Sequence, residues 1–133
     1  FFPGFTLVEL MVVIAIIGLL TAAGTMIVTQ VRSRARDAKR TANIDQLMKA
    51  LDLYNNQTGA YPVAAAPLCI VGNDSVSTAL KNANLIADDF KDPIFTDSNQ
   101  CYRYTSDASG TTFALRYFLE SAAVGTPGYH TVP

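Results

Sequence analysis

Polarity along this chain changes its period twice, and each change marks an element. From Phe5 to Val28 the sequence reads FTLVELMVVIAIIGLLTAAGTMIV, with Glu9 its one charged residue. At about 1.5 Å per residue such a run covers roughly 36 Å as a helix, enough to cross a bilayer core of about 30 Å, so it reads as a membrane span. A basic run follows at once, Arg32, Arg34, Arg36, Lys39 and Arg40, interrupted by Asp37. Beyond it Ile44, Leu47, Met48, Leu51 and Tyr54 recur at helical spacing, one apolar stripe that needs a surface to pack on. No proline occurs from Phe5 to Tyr61, and RARDAKRTANIDQLMKALDLY is rich in helix formers. Span and stripe are therefore predicted to form one helix of about fifty residues, ended by Asn55, Asn56 and Gly59 and stopped by Pro62.

After Pro62 the pattern shortens. Residues 63–74 read as a loop, and Ser75 to Ala87 as a short helix with Val76, Ala79, Leu80 and Ala83 on one face and Asp74 or Ser75 as its cap. CYRYT and TTFALRYFLE alternate on either side of the turn cluster SDASG, which predicts antiparallel strands near 101–105 and 111–119. Two strands alone are marginal, so a third is expected near 93–97 or 129–132. The fold class expected is α+β: a long N-terminal helix, its apolar half protruding, packed on a small antiparallel sheet. The expected division is residues 1–4 as a residual leader or extension, 5–31 as the transmembrane helix half, and 32–133 as one head that includes the amphipathic half 32–57.

Composition changes this picture in three places. Hydrophobic residues make up 50% of the chain, but they crowd its N-terminal end, so the head is more polar than the average suggests. A net charge of −1 provides no overall field that would recruit nucleic acid. Two cysteines, Cys69 and Cys101, lie in neither a CxxC pair nor a zinc pattern. A single disulfide is the better reading, consistent with an oxidising compartment, and two buried thiols are the alternative.

Glu9 is the residue that a plain span does not explain. A carboxylate inside hydrocarbon costs about a few kcal/mol unless it is partnered or protonated, so Glu9 reads either as a functional acid or as one close enough to the interface to reach water. The segment Gly4, Phe5, Thr6, Leu7, Val8, Glu9, with Leu10 and an apolar run after it, resembles the processing site of type IV pilins and type II secretion pseudopilins. LYNNQTGAYP extends that resemblance to Pro62. It implies a cut between Gly4 and Phe5 by a prepilin peptidase, methylation of the new Phe5 amine, and pairing of Glu9 with the amine of a neighbouring subunit. If residues 1–4 are retained, Phe5 has no free amine and that pairing fails. The basic run conflicts with this resemblance, since by the positive-inside rule it would hold the head in the cytoplasm; only by analogy with the family does a dedicated assembly pathway export it.

Gly18 and Gly24 are the weakest helix formers of the span, each costing up to about 1 kcal/mol against alanine. They read either as points where the helix loosens on assembly or as small residues permitting close helix packing. Arg32, Arg34, Arg36, Lys39 and Arg40 read as a solvated face or as intersubunit ion-pair partners, since no aromatics are interleaved for nucleic acid. Contact with nucleic acid is therefore open but not indicated. His130, in a tail expected to be mobile, assembles no catalytic group. Asp88, Asp89, Asp92 and Asp97 could offer oxygen ligands to calcium, as a loop in some major pseudopilins does, but their spacing matches no EF-hand and they read as a solvated acidic loop. No enzyme, metal or cofactor is expected.

The function implied is a structural subunit that polymerises with itself into a type IV pilus-like surface filament for adhesion, motility or DNA uptake. It would lie in the inner or cytoplasmic membrane before assembly, where it meets the assembly machinery, and in an extracellular fimbrium afterwards. The alternatives are a major pseudopilin of a type II secretion system and a membrane-anchored minor pilin or adhesin that binds through loops 63–74 and 120–133.

Overall fold

The computed structural model describes residues 4–64, 66–96 and 100–133, leaving the side chains of residues 25 and 26 aside. Its first element, α1, is one helix of 52 residues, Leu7–Thr58. Gly59 follows at φ +83°, a left-handed conformation that suits glycine and ends the helix where the Asn-Asn…Gly pattern places its stop. The chain divides into two compact units, residues 1–33 and 34–133.

The second unit carries the core. Four strands, β1 (Leu68–Ile70), β2 (Tyr102–Ser106), β3 (Phe113–Leu119) and β4 (Gly128–Val132), pair in chain order as one antiparallel sheet. Their alternation sends Tyr102, Tyr104, Leu115 and Leu119 into a core shared with Ile44, Leu47, Ala50 and Leu51 of α1. The helical stripe read from the sequence is thus the surface that the sheet covers, with Met48 and Tyr54 at its margins. Both buried tyrosine hydroxyls are satisfied: Tyr104 donates to Pro62 O at 2.7 Å, and Asn43 Nδ2 donates to the Tyr102 oxygen at 3.1 Å. Burial pushes both phenols up to about 12.

α2 spans Ser75–Asn82, with Val76 and Leu80 in the core. Asp74 caps it, accepting from Ser77 N at 2.8 Å and, through its other oxygen, from Val71 N at 2.9 Å. The helix stops short of the expected Ala87 because Asn84 takes φ +56°, a left-handed position that asparagine tolerates better than most residues. The third strand falls at the later of its two expected places, 128–132. The expected loop at 63–74 contains β1, a three-residue strand too short to display an alternation. Cys69 and Cys101 are joined in a disulfide, Cα atoms 5.6 Å apart, across 32 positions of sequence.

Candidate functional site

At the N-terminal end, Gly4 and Phe5 precede the helix and are exposed, Phe5 by 78%. Thr6 and Glu9 close a reciprocal cap on α1. The Glu9 carboxylate accepts from Thr6 N at 2.9 Å and from Thr6 Oγ1 at 2.7 Å, while Glu9 N donates to Thr6 Oγ1 at 3.3 Å. This is the Thr-x-x-Glu capping box, legible in TLVE but overshadowed by the question of why an acid begins a span. Glu9 therefore has a local role, satisfying an amide that the first turn leaves without a helical partner.

From Leu7 onward the helix exposes an almost wholly apolar surface, including Leu10, Ile14, Ile17 and Leu20. It is long and apolar enough to cross a membrane, with a mean hydropathy of 2.5 in its most apolar stretch. A Cβ placed on Gly18 or Gly24 would meet nothing within 4 Å, and α1 runs through both positions unbroken. Neither glycine is required by the packing of this single chain.

The basic run divides in two. Arg32, Arg34 and Lys39 are exposed. Arg36 and Arg40, expected on a solvated face or between subunits, turn instead into an ion cluster within the head. Arg40, 1% exposed, donates through Nε and Nη2 to Asp92 at 2.6 and 2.9 Å. Its Nη1 donates to Asp37 at 2.7 Å and to Glu120 at 2.5 Å. Arg36 forms a second fork on Glu120, at 3.0 and 2.5 Å. Asp37 also accepts the backbone amides of Glu120 and Ser121, the latter at 2.6 Å, and so fastens the end of β3 to α1. The fork from Arg36, reinforced by Arg40, holds the Glu120 carboxyl down at about 2. The spacing 36, 37, 40 puts these three side chains on one helical face, a signal the sequence carried; Glu120, far along the chain, offered none.

The acidic loop is corrected at one position. Asp88 and Asp89 are exposed as expected, Asp89 pairing at the surface with Lys81, but Asp92 is buried against Arg40. Asp97 lies outside the described residues, as does part of the earlier place considered for a third strand. Among the described residues no three His, Cys, Asp or Glu side chains are placed to hold a metal ion. His130 belongs to β4 and not to a mobile tail: it lies opposite Tyr117, their rings 5.6 Å apart, with Nε2 2.6 Å from Thr126 O.

A glycine-phenylalanine junction, a capped acidic first turn and an apolar helix together define a prepilin-type N-terminal segment. Residues 3–25 match the family model described as the prokaryotic N-terminal methylation motif. The chain is also 45% identical over 62 residues to the type II secretion system core protein G of Pseudomonas aeruginosa. That match spans 44% of this chain and 42% of that protein, less than half the length of the relative. No solved structure matches. The motif and the relative support the type IV pilin and pseudopilin family, and the motif implies processing by a prepilin peptidase.

Proposed function

We propose that this chain is a structural subunit, not a catalyst, of a type IV pilus-like filament. Its apolar helix anchors it in the inner or cytoplasmic membrane and then, after cleavage between Gly4 and Phe5, packs with copies of itself in the filament core. The observation that carries this reading is the exposed apolar surface of residues 7–24 and 27–31, most of which lies within the methylation motif at residues 3–25. In water that surface is untenable, and lipid and then other copies of the helix are the two partners the pathway offers. On cleavage, the amine of a neighbouring Phe5 competes with Thr6 N for the Glu9 carboxylate; a pair of opposite charges attracts more strongly than the bond from the neutral amide it displaces, and it sets the axial register. Adhesion, motility or DNA uptake on the cell surface is the role proposed for the filament.

A second reading, a pseudopilus subunit of a type II secretion system, is favoured by the secretion protein it resembles. What supports the surface pilus against it is that the acidic stretch 88–97 makes no clear calcium loop of the pseudopilin type, its Asp92 being already taken by Arg40. Electron microscopy of sheared surface material tests the choice. Long filaments made mainly of this chain are expected; their absence, together with loss of exported protein on deletion of the gene, would shift the assignment to the pseudopilus.

A further inference from the structure

The face of the sheet that turns away from the core carries two arginines that no described carboxylate neutralises. Arg103 on β2 and Arg116 on β3 are direct cross-strand partners, with Thr131 of β4 opposite Arg116. Like charges placed opposite each other on neighbouring strands are destabilising. Among the described residues, the ion pairs are made by Arg36, Arg40, Lys81 and Lys91, and neither Arg103 nor Arg116 takes part in one. The two arginines line a cavity of about 230 Å³ together with the hydroxyl-bearing Thr105 and Thr131. Five guanidinium donors on each side and two hydroxyls make this a place for an oxyanion.

The neighbouring row supplies what the basic run of α1 lacks. Phe118 and Tyr129 are cross-strand partners on the same face, in edge contact at 5.2 Å, and they are 42% and 60% exposed. They stand two positions from Arg116 and Thr131, about 7 Å along the strands. Arg116 also lies 4.0 Å over the Tyr129 ring, so the cationic and aromatic rows form one surface. Paired guanidiniums beside exposed rings, spaced by about one nucleotide, suit a strand whose phosphates and unpaired bases are both accessible. We propose that this face binds single-stranded nucleic acid, phosphates on Arg103 and Arg116 and bases on Phe118 and Tyr129. The site lies wholly within residues 34–133 and does not depend on the filament reading.

The test uses the full chain in a nonionic detergent and a fluorescein-labelled oligothymidylate, followed by anisotropy across a salt series. The double substitution Arg103→Gln with Arg116→Gln is expected to weaken binding at least tenfold. It should also flatten the dependence of log affinity on log salt by roughly 1.4, about 0.7 for each phosphate no longer neutralised. Arg103→Lys with Arg116→Lys, which preserves the charges, should retain the salt slope, and Phe118→Ser with Tyr129→Ser should weaken the oligonucleotide while leaving a heparin fragment unaffected. Equal binding by the wild type and the double Gln chain overturns the site. Duplex or heparin binding as tight as the oligonucleotide, indifferent to the aromatic substitutions, overturns the single-strand assignment.

Discussion

Arg40 and Asp92 stand 52 positions apart and meet in a two-pronged pair, Nε to Oδ2 at 2.6 Å and Nη2 to Oδ1 at 2.9 Å, in the interior of the head. The pair ties the segment after α2 to the long helix, while Asp37 on the same helix face ties down the end of β3. Burial alone would lower the Arg40 pKa, but hydrogen bonds to Asp92, Glu120 and Asp37 outweigh it and hold the group above its ordinary value. Every buried side-chain nitrogen and oxygen among the described residues has a partner, which makes the cluster all-or-none in character.

Removing Arg40 is therefore expected to cost more than removing any surface charge. Arg40→Met leaves Asp37 and Asp92 without their cation in a buried place and should destabilise the head by about 3–5 kcal/mol. Arg36→Met, whose side chain is 30% exposed, should cost about 1 kcal/mol or less. Thermal melts of the full chain in detergent, followed by circular dichroism, distinguish the two; equal shifts would mean that the cluster is not a buried unit.

The same cluster sets an acid limit. Glu120, held at about 2 in the folded head, titrates near the ordinary value of 4.5 when released. A carboxylate depressed on folding contributes stability that is complete above the unfolded value and is lost as pH falls toward the folded one. Asp74 acts in the same direction: burial pushes it up, but the bonds from Ser77, Val71 and Gly72 outweigh this and hold it below the ordinary carboxylate. The melting temperature is expected to be flat above about pH 5 and to fall between about pH 5 and 2. Glu120→Gln should shrink that fall, and an unchanged profile would remove Glu120 as its source.

Gly110 joins the β2–β3 turn to the end of α1. Its carbonyl accepts Tyr61 N at 2.8 Å, its φ is +66°, and a Cβ there would lie 2.6 Å from Tyr61 O. Gly59 shares the positive φ, at +83°, but faces open space. Gly59→Ala should cost about 1 kcal/mol from conformation alone, whereas Gly110→Ala adds a backbone collision and should cost about 2 kcal/mol or more. Urea titrations of the two variants check the order; the reverse order would contradict the placement of the turn.

How much of this is legible in the sequence follows from where each signal lies. The long helix, its stop at Gly59 and the stripe Ile44–Leu47–Leu51 are local patterns that repeat over many turns, and they read out directly. So does the hairpin, because Tyr102 and Tyr104 alternate with Arg103 and Thr105. β1 escapes a pattern reading because three residues carry no period, and His130 looks like part of a tail because β4 forms by pairing with β3 across a loop. The ion cluster depends on Asp92 and Glu120 returning to the helix from far along the chain, information that pattern alone does not hold. Arg36 and Arg40 look like surface charge for that reason. At the N-terminus the balance is reversed: the acid at position 9 stands out against its apolar surroundings, and its capping partner three residues earlier does not.

That cap makes the role of Glu9 separable into two parts. Glutamine serves a capping box as well as glutamate does, so Glu9→Gln should keep the first turn and its bond to Thr6 N while removing the negative charge. Glu9→Ala removes both, at a cost to the helix start of about 1 kcal/mol. If register between subunits depends on a carboxylate meeting a Phe5 amine, both variants should insert in the membrane normally and both should lose filament yield. If Glu9 acts through the cap alone, Glu9→Gln should assemble like the wild type and Glu9→Ala should not. Counting filaments by electron microscopy, with membrane insertion checked by alkaline extraction, reads the difference. Mass spectrometry of the mature N-terminus shows in the same material whether Phe5 is the first residue and carries a methyl group, the condition under which its amine can reach a neighbour's Glu9.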